Sequence, residues 1–156
     1  MVSVFKVTFT NSSFELSDLY ERLSDIDKER ISELSAVAFF DFDDNDRYIF
    51  FIIVDNIEMN SYSKILNDNL ISHFVQDISS EVLNGTSDIE KYISKFVSPM
   101  NAIKFSFFID DMNDWIYENL DIDMVLDRIS QVGVGGLRNI EKEFLDNYSK
   151  VDKTKV

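Results

Sequence analysis

The sequence predicts a single domain of the α+β class, and two observations lead to that prediction. Segments with the two-residue alternation of β-strands occur in the same chain as segments with the three-to-four-residue periodicity of helices. The 156 residues also match the size of one domain with a hydrophobic core, and 45% of them are hydrophobic. Only four glycines and one proline are present, so we expect no flexible linker. We therefore place one α/β domain over residues 1–150 and a frayed polar tail over residues 151–156.

The N-terminal part of the chain predicts a strand followed by helical structure. Residues 2–9 alternate in the manner of a strand, and both faces of that strand carry apolar side chains. Apolar residues then recur at helical spacing over Leu16–Leu34. Ser17 and Ser24 are both suitable N-caps, because a serine hydroxyl accepts a hydrogen bond from a free amide of the first turn. We therefore expect one helix or two after the first strand.

Two consecutive strands joined by a polar turn form the next predicted unit. Residues 36–42 and 48–54 are rich in aromatic and β-branched side chains, and the polar segment Asp43–Arg47 separates them. The second run is apolar at every position, which is typical of a central strand covered on both faces. This pattern predicts a β-hairpin.

Two helices are predicted after the hairpin. Apolar residues recur every four positions over Leu66–Val82, which predicts a long helix that begins at Ser61 and ends at Gly85. Ser87–Glu90 has the spacing of a capping box, in which the side chains at both ends bind backbone amides of the first turn. It is expected to begin a short helix that ends before Pro99.

A fourth strand and two C-terminal helices complete the prediction. Residues 102–110 place four apolar side chains on one face of a strand. Helical spacing over Trp115–Ile129 and again over Leu137–Tyr148 predicts the two helices. Gly133–Gly136 separates them, and because it follows a helix rather than a strand, we expect a tight turn there and not a phosphate-binding loop.

This order of elements, β-α-β-β-α-β followed by two helices, resembles the ferredoxin-like fold, in which two split β-α-β units form one sheet. The resemblance implies that the helices inside the repeat cover one face of the sheet. The other face carries Val2, Val4, Val37 and Phe39 and is too apolar to remain in contact with water. We expect the C-terminal helices, or a second copy of the chain, to cover it.

The charge of the chain excludes several classes of function. It carries 29 acidic and 15 basic residues, a formal net charge of -14, which repels nucleic acid and anionic membranes and predicts no direct binding to either.

The absence of cysteine excludes disulfides, thiolate nucleophiles and zinc–thiolate sites. The N-terminal residues lack the pattern of a signal peptide, and no apolar run approaches the roughly 20 residues of a membrane helix. We therefore expect a soluble cytoplasmic protein.

The acidic residues concentrate in two segments. Residues 41–60 and residues 101–123 each hold six acids and one base, so together they supply -10 of the net charge. The predicted topology places the hairpin turn at one end of the sheet, and Asp55, Glu58 and Asp110–Asp114 at the other end. A partner-binding role is predicted for seven of these residues, namely Asp41, Asp43, Asp44, Asp46, Asp110, Asp111 and Asp114.

The sequence lacks residues that three familiar kinds of site require. Asp41–Asp46 resembles a calcium loop, but the EF-hand glycine and glutamate positions hold Asp46 and Ile52. The hairpin is similar to the palm of nucleotide polymerases and cyclases, but their two-metal chemistry needs a further carboxylate in Phe9–Ser13. His73 is the only histidine, so without cysteine it cannot complete a zinc site. We therefore predict no metal, no cofactor and no catalytic residue.

The sequence favours a non-enzymatic binding protein that docks an acidic surface on a basic protein partner and blocks it. Such a protein would be a toxin immunity protein or a phage-type inhibitor that mimics nucleic acid. One alternative is a small acidic chaperone or assembly factor that pairs through the apolar sheet face as a homodimer. A second alternative is a metal-dependent enzyme, in which Asp55, Glu58, Asp110 and Asp111 converge on a hard cation such as magnesium or calcium.

Overall fold

The computed structural model of the chain contains a four-stranded antiparallel sheet with helices on both faces. The structure describes residues 1–10, 21–41, 47–96 and 102–154. The strands are β1 (Val2–Phe9), β2 (Ser35–Asp41), β3 (Arg47–Asp55) and β4 (His73–Asp77), and their order in the sheet is β2-β3-β1-β4. The described helices are α1 (Asp25–Glu33), α2 (Asn56–Asp68), α3 (Ser79–Asn84), α4 (Ile89–Phe96), α5 (Ala102–Asn119), α6 (Ile122–Val132) and α7 (Asn139–Thr154).

The first three strands lie where the sequence predicts them. β1 pairs with β3 from Val2 opposite Asp55 to Thr8 opposite Ile49. β2 pairs with β3 as the two arms of the predicted hairpin, and β4 pairs with the other side of β1. The mixed α+β class is therefore confirmed, with all three strand pairs antiparallel.

The prediction of a strand at residues 102–110 is wrong, because this segment forms the first half of α5. The alternation there is a short-range coincidence within a longer helical pattern. Phe108, Met112 and Ile116 follow one another at steps of four and are buried, whereas Phe107, which the strand pattern would bury, is 66% exposed. Three helices, rather than the predicted two, therefore follow residue 101 in the described chain.

The fourth strand instead interrupts the predicted long helix at residues 61–82. Helix α2 ends at Asp68, and the backbone of Leu70 then adopts a left-handed conformation with φ of 60°. A right-handed helix cannot contain a residue with positive φ, so the chain turns at Leu70 instead of continuing the helix. β4 and the short helix α3 occupy the remainder of the segment.

One face of the sheet packs against the helices that lie between its strands. Most buried side chains of this cluster come from β1, β3 and α2, and α1 contributes the partly buried Ile31. They include Phe5, Val7, Phe9, Ile52, Val54, Met59, Tyr62 and Leu66. The assignment of Phe5, Val7 and Phe9 to one face of β1 follows the predicted alternation.

The opposite face packs against the C-terminal half of the chain, as predicted. Val4, Val37 and Phe51 form one core cluster with side chains of the later helices, among them Phe108 and Trp115. The indole Nε1 of Trp115 also donates a hydrogen bond of 3.0 Å to the carbonyl oxygen of Val2, which fixes α5 to the start of β1. Full burial of a phenylalanine such as Phe51 stabilises a fold by about 1.5–3 kcal/mol, so this cluster is a major part of the core.

Side-chain caps determine where several helices begin and end. The Ser24 hydroxyl accepts a 3.2 Å hydrogen bond from the Asp27 amide, so Ser24 is the N-cap of α1. Asp55 caps α2 in the same way by accepting from the Glu58 amide at 2.8 Å. Gly85 ends α3 with φ of 71°, which confirms the predicted stop. The other predicted N-cap, Ser17, lies outside the described residues.

The predicted start of α4 and the turn before α7 agree with the structure, but the single helix predicted over Trp115–Ile129 is divided between α5, which ends at Asn119, and α6, which begins at Ile122. Helix α4 follows Ser87, whose hydroxyl accepts a hydrogen bond of 3.3 Å from the Ile89 amide. A 3₁₀ turn over Val134–Gly136 connects α6 to α7, as predicted for the glycine-rich segment. Helix α7 continues to Thr154. Within the described part of the chain, no helix combines the length and the apolar character needed to cross a bilayer.

Candidate functional site

A cleft of about 550 Å³ lies between the α3–α4 segment, α5 and α7. Four carboxylate residues line it, namely Glu90, Asp114, Glu118 and Glu143. Below them lie apolar side chains that belong to the hydrophobic core, namely Val82, Ile89, Met112 and Ile116. We call this feature the acidic cleft.

The four carboxylates come from three different helices. Asp114 and Glu118 are four residues apart on α5, so they lie on one face of that helix. Glu90 is in the first turn of α4, and Glu143 follows the first turn of α7. All four residues are exposed, and none of them forms an ion pair with another described residue. The cleft therefore presents negative charge to solvent from several directions.

Arg138 is the one basic residue that lines the acidic cleft, and each nitrogen of its guanidinium already has a hydrogen-bond acceptor. Its Nε donates to Glu141 Oε1 at 3.0 Å, while Nη1 and Nη2 donate to the carbonyl oxygens of Val82 at 2.7 Å and Leu83 at 2.6 Å. These carbonyls belong to α3, where a cation is favourable because the helix dipole is negative at its C-terminal end. Arg138 therefore does not neutralise the four carboxylates of the cleft.

A buried charged cluster formed by Arg128, Glu141 and Arg138 supports this wall of the cleft. Glu141 is only 1% exposed, and its Oε1 lies 3.0 Å from Arg138 Nε and 3.8 Å from Arg128 Nε. The same oxygen accepts a 2.9 Å hydrogen bond from the Arg138 amide, just before α7 begins. The buried Nε of Arg128 has no hydrogen-bond partner among the described residues. Such a cluster holds α6, α7 and the end of α3 in a fixed arrangement.

Glycine is required at position 85, where α3 meets this cluster. Its backbone has φ of 71°, and a Cβ atom there would lie 3.0 Å from Arg128 Nη2 and 3.3 Å from Arg138 Nε. A side chain would therefore combine backbone strain with displacement of the two guanidinium groups.

The structure brings one of the seven predicted site residues, Asp114, into the acidic cleft. Asp110 and Asp111 are exposed on the same helix, and Asp111 Oδ2 accepts a 2.5 Å hydrogen bond from the Ser35 hydroxyl at the start of β2. Asp41 is the last residue of β2, and its backbone pairs with Arg47. The predicted residues Asp43, Asp44 and Asp46 lie outside the described residues.

The other three carboxylates of the cleft are not among the residues predicted to bind a partner. Glu118 falls in the acid-rich segment 101–123, but its position beside Asp114 follows only once residues 102–119 are known to be helical. Glu90 and Glu143 come from segments without a notable excess of acids. No sequence signal links them to Asp114, because tertiary packing brings the three helices together.

The described residues do not form a metal centre. They contain no group of three or more histidine, aspartate or glutamate side chains arranged to hold a metal ion. The alternative in which Asp55, Glu58, Asp110 and Asp111 converge on a cation therefore finds no support among the described side chains. The carboxylate of Asp55 instead accepts the Glu58 amide as the N-cap of α2.

His73 is held by hydrogen bonds on both of its ring nitrogens. It lies at the start of β4, with Nε2 2.6 Å from the Ser63 hydroxyl oxygen and Nδ1 3.0 Å from the carbonyl oxygen of Ile71. A carbonyl oxygen can only accept, so Nδ1 carries a proton in this arrangement. The bond with Ser63 connects β4 to α2, and the bond to Ile71 holds the ring against the turn before β4, which together are a structural role for the only histidine.

Comparison with family models, curated proteins and solved structures finds no match to this chain. The case for a function therefore rests on the geometry and the charge of the site itself.

Proposed function

We propose that this protein is a non-enzymatic binding protein whose acidic cleft docks on a basic protein partner and blocks it. The observation that carries the proposal is the cleft itself, in which carboxylates from α4, α5 and α7 surround an apolar floor. Complementary charge accelerates the encounter with a basic partner, and the concave shape of the cleft gives that charge a defined binding surface. A toxin that degrades nucleic acid, or another nucleic-acid-binding protein, is a partner of the appropriate charge.

The position of Asp114 and Glu118 supports a role in binding rather than in stability. Like charges four residues apart on a helix repel each other and destabilise it by about 0.2–0.5 kcal/mol. Glu118 also lies in the last turn of α5, where the helix dipole disfavours negative charge and where no basic residue is present. Since their own helix gains nothing from these carboxylates, a binding role explains them better.

We also propose that the sheet and its inserted helices are of the ferredoxin-like type. The strand order β2-β3-β1-β4, its three antiparallel pairs, and the packing of α1 and α2 on one face support this proposal. The location of the fourth strand differs from the sequence prediction, but the position of that strand beside β1 is the one that such a fold requires.

The homodimeric chaperone alternative loses its main support. It depended on an apolar sheet face that a second copy of the chain would cover. In the structure, the later helices of the same chain pack on that face and bury Val4, Val37 and Phe51. The binding proposal does not depend on that surface.

Affinity capture from the native host with a charge-neutralised cleft tests the proposed function. The variant Asp114→Asn/Glu118→Gln removes two charges from the cleft. The control Glu21→Gln/Glu29→Gln removes two charges from exposed positions at and just before α1, on the other side of the sheet. We expect the wild-type protein and the control to retain a basic protein that moderate salt elutes, and the cleft variant to retain much less of it.

Two results would contradict the proposal. Equal retention by the cleft variant and the control would remove the cleft from the binding surface. A partner that resists salt and is held by all three proteins would instead favour an assembly factor that binds by apolar contacts.

A further inference from the structure

We infer that the protein binds a small uncharged organic molecule, with an apolar body and a carbonyl oxygen, in a pocket between α1 and α2. The pocket has a volume of about 440 Å³ and lies on the face of the sheet opposite the acidic cleft. The residues that line it are Arg30, Ile31, Glu33, Leu34, Glu58, Ser61, Tyr62 and Ile65. We call it the α1–α2 pocket. The inference goes beyond the proposed function and does not depend on it.

The buried phenol of Tyr62 is the observation that points to a ligand. Tyr62 is only 5% exposed, and its hydroxyl forms no hydrogen bond with any residue that the structure describes. Burial alone raises the pKa of this phenol, as expected of a hydroxyl without a polar neighbour. Buried hydroxyl groups in proteins almost always have a hydrogen-bond partner, because an unpaired one lowers stability. Tyr62 therefore has an unused donor in the core of the protein.

This hydroxyl is open to the α1–α2 pocket and is not sealed in the core. Among the described residues, Arg128 Nε is the one polar side-chain atom that is both fully enclosed and without a hydrogen-bond partner. The Tyr62 hydroxyl also lacks a partner, so it retains contact with open space, and Tyr62 lines the pocket. Since the phenol keeps its proton at neutral pH, it can donate a hydrogen bond to a ligand there.

Apolar side chains surround this single buried donor. Ile31 and Leu34 of α1 and Ile65 of α2 are partly buried and pack on the same core cluster as Tyr62. Pockets for small molecules typically have apolar walls, a few polar groups that fix orientation, and volumes of about 300–1,000 Å³. The α1–α2 pocket has this composition and size, so it suits an apolar body that carries one oxygen acceptor.

The charges at the rim of the pocket favour an uncharged molecule. Arg30, Glu33 and Glu58 are exposed, and together they give the rim one positive and two negative charges. This excess of negative charge, on a chain with a net charge of -14, disfavours an anion. A cation would have to leave water for apolar walls and a phenol that keeps its proton, which is costly. A carbonyl oxygen accepts from Tyr62 without bringing a charge into the pocket.

NMR titration with cyclohexanone tests the inference. This probe combines an aliphatic ring with one carbonyl oxygen, and it is added to the full chain while the backbone amide signals are recorded. We expect shifts that saturate with a dissociation constant on the order of 1–10 mM, as for other very small ligands. The signals that shift should be those of residues at the pocket, including Ile31, Ser61 and Ile65. Cyclohexanecarboxylate and cyclohexylammonium, which carry a charge on the same ring, should bind several times more weakly.

Three variants separate recognition by the phenol from general adsorption. Tyr62→Phe keeps the ring and removes the donor, so it should weaken cyclohexanone binding about three- to tenfold. Tyr148→Phe removes a hydroxyl from an exposed position on α7 and should leave binding unchanged. Ser61→Trp places a large ring at an exposed position in the wall of the pocket and should abolish binding. Far-ultraviolet circular dichroism verifies that each variant is folded.

Three results would overturn the inference. Shifts that do not saturate, or that spread over the whole surface, would mean that water alone occupies the pocket. Equal affinities of the wild-type protein and Tyr62→Phe would remove the phenol from recognition. Tighter binding of either charged probe would refute the uncharged class. None of these results bears on the acidic cleft, because it lies on the other face of the sheet and the capture experiment tests it separately.

Discussion

Glu141 is the most buried ionisable residue among those that the structure describes. Its carboxylate lies between Arg128 and Arg138, so Glu141→Ala would leave two mostly buried guanidinium groups without their counter-charge. Removal of one partner from a buried ion pair typically costs 3–5 kcal/mol, and we expect a loss of about 3 kcal/mol because the arginines keep some contact with solvent. Urea denaturation measures the change in the free energy of unfolding.

Glu143 offers a matched control for that measurement. It lies two residues further along the same helix and is exposed, so Glu143→Ala should change the free energy of unfolding by less than about 0.5 kcal/mol. Similar losses for the two variants would mean that the cluster of Arg128, Glu141 and Arg138 does not stabilise the fold.

Burial of Tyr62 makes stability depend on pH in the alkaline range. Desolvation raises the pKa of its phenol well above the ordinary value of 10.0, so the folded protein keeps the proton where the unfolded chain releases it. The stabilisation is complete below pH 10 and is lost as the pH rises above that value, by up to about 1.4 kcal/mol per pH unit.

Tyr62→Phe removes this titration and leaves the ring in the core. We expect the variant to become progressively more stable than the wild-type protein as the pH rises above about 10. Denaturation series below and above that pH measure the difference. A difference in the free energy of unfolding that stays constant with pH would show that Tyr62 releases its proton equally readily in both states.

At the scale of the elements, the end of α3 depends on Gly85. Gly85→Ala would introduce strain at φ of 71° and bring a methyl group to 3.0 Å from Arg128 Nη2. We expect it to lower the free energy of unfolding by about 1–2 kcal/mol. Gly135→Ala is the control, because a Cβ atom at that position would have no other described atom within 4 Å, and it should cost less. Thermal denaturation of the two variants compares them, and a larger loss at Gly135 would contradict the role of Gly85.

The elements that the sequence predicts well are those with one unambiguous pattern. Strand β1 alternates, and strands β2 and β3 are short runs rich in β-branched and aromatic residues that are joined by a polar turn. The end of α3 and the turn before α7 are predictable because glycine marks each of them.

Two errors in the prediction share one physical cause. A short apolar run fits both a helix and a strand, and only packing against the rest of the chain decides between them. Residues 73–77 continue a four-residue spacing but form β4, because β1 offers an unpaired edge with which they form hydrogen bonds. Residues 102–110 alternate but form helix, because the buried stripe of α5 continues beyond them to Trp115 and Ile116.

The second error also limited what could be predicted of the candidate site. With residues 102–110 taken as a strand, Asp114 appears at a strand end and not on a helix beside Glu118. Glu90 and Glu143 join them only through the packing of three helices, which no local pattern encodes. The excess of acid in the segment was therefore predictable, but the cleft was not.

For the whole molecule, the packing of helices on both faces of the sheet restricts where a partner can bind. Each face belongs to a hydrophobic cluster that the chain itself completes. The apolar faces of the central strands are therefore not docking surfaces, and a partner must contact helices, loops or strand edges. The net charge of -14 makes those outer surfaces attractive to basic proteins over a distance that salt shortens.

The proposed function further predicts that the carboxylates of the cleft lower the free energy of unfolding slightly. Because Asp114 and Glu118 repel each other near the C-terminal end of α5, we expect Asp114→Asn/Glu118→Gln to raise the free energy of unfolding by about 0.2–0.5 kcal/mol while it weakens partner capture. Asparagine and glutamine have helix propensities close to those of the residues they replace, so the change reports on charge. Urea denaturation at low and high salt measures it, and the gain should shrink when salt screens the repulsion. A loss of stability at both salt concentrations would show that these carboxylates support the fold, and the structural argument for a binding role would fail with it.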